Sequence, residues 1–82
     1  MTTTATKENR RSVMITFMSA ATHYEVITYD FIAHLRFEFP TEEIRNAMLE
    51  YAQELGIGCF AETRTLYQTH YLINIKDEDI AF

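Results

Sequence analysis

From Glu25 to Phe39 the chain alternates. Ile27, Tyr29, Phe31, Ala33, Leu35, Phe37 and Phe39 occupy the odd positions, and the even ones from 28 on include Thr28, Asp30, His34, Arg36 and Glu38. Period two is the mark of a strand with one buried and one solvated face. At about 3.3 Å per residue an unbroken strand here would run to roughly 50 Å, so a bend or break is expected between Asp30 and Ala33. A helix from Ala20 to His34 is the rival reading. It would put Tyr24, Ile27, Phe31 and Leu35 on one stripe, set Asp30 one turn from His34, and move the chain toward a ferredoxin-like βαβ arrangement. The β-branched and aromatic content favours the strand.

Upstream, Ser12 to Ser19 alternates Val13, Ile15 and Phe17 against Met14, Thr16 and Met18, which predicts a first strand with apolar residues on both faces. Downstream, Pro40 ends the central stretch and opens the best-marked helix. Thr41 is its N-cap, Glu42 and Glu43 lie at the positive end of the dipole, and Gly56 followed by Ile57 predicts a Schellman ending. Ile44, Ala47, Met48, Tyr51, Ala52 and Leu55 form its apolar face, opposite Arg45, Asn46, Glu50, Gln53 and Glu54. Residues 58–66 and 71–76 predict a hairpin that turns around Gln68, Thr69 and His70, with Tyr67 opposite Tyr71 and Glu62 opposite Lys76.

These elements predict an α+β fold: a four-stranded, mainly antiparallel sheet in the order β-β-α-β-β, with one helix packed on one face. The expected organisation is a flexible N-terminal arm over 1–11, one domain over 12–76 and an acidic tail over 77–82. One helix leaves the other side of the sheet open, and Met14, Met18, Val26, Ile32, Phe60, Leu66 and Leu72 fall largely on that parity. They are the candidate protein interface, and a homodimer formed sheet to sheet or edge to edge would cover them.

With 82 residues the chain suffices for one small domain, and 11 aromatics with only two Gly and one Pro belong to a folded chain. Twelve acids against seven bases, net −5, argue against direct nucleic-acid binding, because phosphate recognition needs clustered cations. The one basic cluster, Lys7, Arg10 and Arg11, is read as a solvated leader. Glu42, Glu43, Glu50, Glu54, Asp77, Glu78 and Asp79 form a candidate acidic surface that could engage a basic protein. A lone Cys59 and the lack of a long apolar run predict a reduced, cytoplasmic protein with no membrane role.

No catalytic or cofactor-binding motif is present, and no metal site is expected from His23, His34, His70 and Cys59, which have no ligand spacing. Gly56-Ile57-Gly58 follows a helix instead of a strand and is read as a helix stop. Asp30 and His34 could orient one another only in the helical reading. The composition therefore predicts a small non-enzymatic protein-binding regulator or inhibitor, acting as a homodimer. In size and acidity it is comparable to phage and mobile-element accessory proteins that block host machinery, anti-defence inhibitors included. The alternative is a dimeric ferredoxin-like domain that binds a small ligand or catalyses simple proton transfer, with His34, Asp30 and Tyr29 as the residues to test.

Overall fold

A computed structural model describes residues 6–76, except for the side chain of Tyr29. They form α1 (Lys7–Ala20), β1 (His23–Tyr29), β2 (Ile32–Phe39), α2 (Glu42–Glu54), β3 (Cys59–Leu66) and β4 (Gln68–Lys76). The class is α+β, with two helices and a four-stranded antiparallel sheet in the spatial order β1-β2-β4-β3.

The first element is a helix where a strand was expected. Residues 12–19 alternate, but the same segment also carries Val13, Met14 and Phe17 at helical spacing, with Ala20 and Ala21 one turn further on. That second pattern prevails: Val13, Met14 and Phe17 are buried, whereas Ile15 is 60% exposed, which a shared strand face with Val13 and Phe17 would not allow. Thr6 caps the start by accepting from the Asn9 N–H at 3.0 Å, and Glu8 sits in the first turn. Lys7, Arg10 and Arg11 are thus helical, and the boundary between arm and domain expected at residue 12 falls inside α1. Residues 1–5 and the tail 77–82 lie outside the described residues.

The central stretch breaks where its length requires. Asp30 and Phe31 have φ of 52° and 65°, the paired left-handed conformation of a type I′ turn, and Tyr29 pairs with Ile32 across it. One expected strand is therefore two, which keeps the strand count at four although the first segment is helical. The order β-β-α-β-β with a single helix is replaced by α-β-β-α-β-β, and residues 20–34 hold no helix of their own beyond the last residue of α1.

The second hairpin turns earlier than expected. Leu66 pairs with Gln68 across Tyr67, whose φ is 63°, and Glu62 lies opposite Leu72 instead of Lys76. The shift of four residues is even, so the faces are unchanged: Cys59, Ala61 and Thr63 still share a side with Ile75, Ile73 and Tyr71.

That side carries the core. Val13, Met14 and Phe17 of α1 and Ala52 of α2 pack with Leu35, Phe37, Phe39, Ile73 and Ile75. The Phe17 ring meets Phe37 and Phe39 edge-on at centroid distances of 5.2 and 5.4 Å, the arrangement that opposed ring quadrupoles prefer. Helix α2 starts and ends as its sequence predicts: Thr41 accepts from the Ile44 N–H, Gly56 has φ of 78°, and the Ile57 N–H reaches back to the Ala52 carbonyl at 3.0 Å. Its roll differs. Arg45 and Ala52 face inward and Met48 and Leu49 are half-buried, while Ile44 and Ala47 are exposed. The guanidinium of Arg45 decides this. Nη1 donates to the Glu62 carbonyl at 2.9 Å and to Thr63 Oγ1 at 3.1 Å, and the group lies 5.7 Å from the centre of the Tyr71 ring.

Candidate functional site

The opposite side of the sheet is built from the even-numbered residues of β2, β3 and β4. Glu62 is its hub: Oε1 accepts from Arg36 Nη2 at 2.9 Å and from Asn74 Nδ2 at 3.1 Å, and Oε2 lies 3.1 Å from Arg64 Nε. Arg36 Nε donates to Asn74 Oδ1 at 2.8 Å, so the Arg36 fork is held from β4, beside its own strand, and from β3 beyond it. Asn74 is 1% exposed, and the polar network is anchored in a buried floor.

One row away, His70 Nδ1 lies 2.8 Å from Glu38 Oε2, with both side chains about three-quarters buried (28% and 27% exposed). Against a carboxylate, which can only accept, Nδ1 is the donor of this pair. Beside this network lies a concavity of about 420 Å³, bordered by Arg36, Arg64, Glu25, Glu38 and His70, with Leu66 and Leu72 as its apolar part. Two arginines and two carboxylates, Glu25 and Glu38, line it, and both arginines are paired with Glu62. Such a site can hold a mixed polar and apolar group through directed hydrogen bonds, and its charge balance gives no general pull on anions.

At the end of β3 the surface changes character. Leu66, which lines the concavity, is 68% exposed, and Tyr67, the next residue and the one across which Leu66 pairs with Gln68, is wholly exposed.

The candidate interface residues do not form one patch. Met14 is in the core, since it lies on the inner stripe of α1, and Met18 is on the outer surface of the same helix. Val26 is opposite Leu35 and so belongs to the helix side of β1. Ile32, Phe60 and Leu66 are exposed on the polar-network side, while Leu72 is 5% exposed, walled by Glu38 and Glu62 on the neighbouring strands. Of the candidate acidic surface, Glu42, Glu43, Glu50 and Glu54 lie exposed along α2, and Asp77, Glu78 and Asp79 are outside the described residues.

His34 is 3% exposed, with Nδ1 3.0 Å from the Ile32 carbonyl and its ring edge-on to Phe60. Asp30 is in the turn, so the helical spacing that would have oriented these two is absent. Cys59 is half-buried opposite Ile75, and among the described residues no group of three His, Cys, Asp or Glu side chains could hold a metal. No described helix is long and apolar enough to cross a membrane.

Of the residues that converge here, Leu66 and Leu72 belong to the candidate interface read from the sequence, whereas the polar ones, Arg36, Glu38, Glu62, Arg64, His70 and Asn74, belong to no candidate site there. Their signal is alternation of charge within strands, Arg36 and Glu38 in one and Glu62 and Arg64 in another. It becomes legible only once the register places Glu62 opposite Leu72. Comparison with protein-family models, curated proteins and solved structures gave no match.

Proposed function

We propose that this chain is a small non-enzymatic protein-binding regulator that acts as a homodimer and holds its partner at the Leu66–Tyr67 end of the polar-network face. One observation carries this reading. Tyr67 is fully exposed at φ of 63°, a conformation that costs a non-glycine residue about 1–2 kcal/mol, and, unlike Phe31 in the same conformation at the other hairpin, it directly follows Leu66, which lines the concavity with Arg64. An aromatic ring presented in this way, next to Leu66, Arg64 and a concavity, has the make-up of a binding hot spot.

Affinity capture with the wild-type chain and with the Tyr67→Ala, Leu66→Ser double variant tests it, with Glu50→Ala on α2 as the control. The reading expects one captured protein to be lost at least tenfold in the double variant and kept in the control. Equal recovery in all three would contradict it.

A second reading, a small-ligand or proton-transfer site, is favoured by the Glu38–His70 pair at the concavity wall. It assigns the role to residues other than His34, Asp30 and Tyr29. Under it, His70→Gln abolishes ligand-induced thermal stabilisation and Tyr67→Ala does not.

A further inference from the structure

We infer that two copies of this chain join β1 to β1, antiparallel about a two-fold axis at Val26, and so merge two four-stranded sheets into one. This specifies the dimer in the reading above and rests on its dimeric part alone; the Tyr67 surface plays no role in it.

The sheet has two edges, β1 and β3. The β3 edge is blunted, because Arg45 reaches over from α2 to occupy the Glu62 carbonyl. Among the described residues the β1 edge, HYEVITY, has no such cover, and it carries no lysine or proline and no break in its register with β2, the features that often protect an edge. In the type I′ turn the Tyr29 carbonyl accepts from the Ile32 N–H, so alternation directs the backbone groups of Ile27 and Glu25 to β2 as well. Those of Tyr24, Val26 and Thr28 then point outward, ready to pair.

Side chains on the helix side support the same edge. Tyr24 and Val26 stand opposite Phe37 and Leu35, which are core residues, yet they are 51% and 73% exposed. Each helix packs further in, α1 over β2 and α2 over β2, β3 and β4. A two-fold axis perpendicular to the sheet would bring Tyr24 and Val26 of both copies together between the two α1 helices, where they would shield one another from water.

The register follows from exclusion. With the axis at Val26, Val26 meets its own copy, Tyr24 meets Thr28 and Glu25 meets Ile27, so every outward backbone group is paired. An axis at Glu25 would set two carboxylates face to face. An axis at Ile27 would oppose Tyr24 to Asp30, which has left the ladder at φ of 52°, and one at Tyr24 would oppose Thr28 to Ala20, the last residue of α1.

Light scattering from the micromolar to the millimolar range, with three variants, tests the proposal. The wild type is expected to reach dimer mass. Val26→Pro removes only an outward N–H and should be monomeric. In a Cys59→Ser background, Val26→Cys should link to itself on oxidation, since hydrogen-bonded antiparallel partners have Cα atoms about 5.5 Å apart, within disulfide reach; Ile27→Cys should not. A wild type that stays monomeric throughout, a dimer that survives Val26→Pro, or a dimer that links through Thr63→Cys on β3 but not through Val26→Cys would each overturn it. If Val26→Pro fails to fold, the cysteine pair decides alone. None of these results bears on capture through Tyr67.

Discussion

Arg45 Nη1 donates to the main-chain carbonyl of Glu62 at 2.9 Å, tying the buried side of α2 to the outermost strand of the sheet. The arginine is 6% exposed and has no carboxylate against it among the described hydrogen bonds, so its charge is supported by a carbonyl, the Thr63 hydroxyl, Asn46 Oδ1 and the Tyr71 ring. Hydrogen bonds from a charged donor contribute about 1.5–3 kcal/mol each. Arg45→Ala should therefore lower stability by about 2–3 kcal/mol in urea unfolding. Arg45→Met, which keeps the apolar stem, should lose about half as much. A loss below about 0.5 kcal/mol in both, the level of an ordinary surface change, would mean that the contact does not hold α2 in this roll.

Across the sheet, Glu62 satisfies Arg36, whose side chain is only 14% exposed, and Asn74, which is buried. Glu62→Leu would strand a largely buried guanidinium. The expected cost is about 3 kcal/mol, while Arg64→Leu, which removes a 60% exposed partner of the same carboxylate, should change stability by less than about 1 kcal/mol. The difference between the two midpoints checks this, and equal losses would contradict it.

The left-handed turn positions give a pair of opposite signs. Phe31 is 98% exposed at φ of 65°, so Phe31→Gly should stabilise the hairpin by about 1 kcal/mol. Gly56→Ala, at φ of 78° in the α2 ending, should destabilise by about 1 kcal/mol. Thermal unfolding of the two single variants reads both.

Helix α1 is tested by its own two faces. Phe17 is fully buried between Phe37 and Phe39, and Phe17→Ala should cost about 3–5 kcal/mol. Ile15→Ala, two residues away, should stay within about 0.5 kcal/mol. Were residues 12–19 a strand, both substitutions would be severe.

These contrasts mark what the sequence revealed and what it concealed. Thr41 and Gly56 act through neighbours in the chain, so the ends of α2 were readable residue by residue, and the central stretch announced its break by being too long. Val13, Met14 and Phe17 obey two periodicities at once, and eight residues of alternation outweighed a stripe that runs on to Ala20 and Ala21. Thr6 followed by Asn9 and Glu8 was the cap signal that could have settled it. Arg45 looked solvated because its partners lie on β3, and Glu62, Arg36 and Asn74 came together only through a strand register that the turn at Tyr67 fixes. Local chemistry was legible, whereas contacts made across strands were not.

The proposed grip on a partner is tested most directly by a photo-crosslinking amino acid placed at Tyr67, and in a second chain at Glu50, expressed in the cells that naturally contain the protein. The account predicts a crosslink to one protein from position 67 and none from position 50. The same crosslinks from both positions, or a product from position 50 alone, would contradict it.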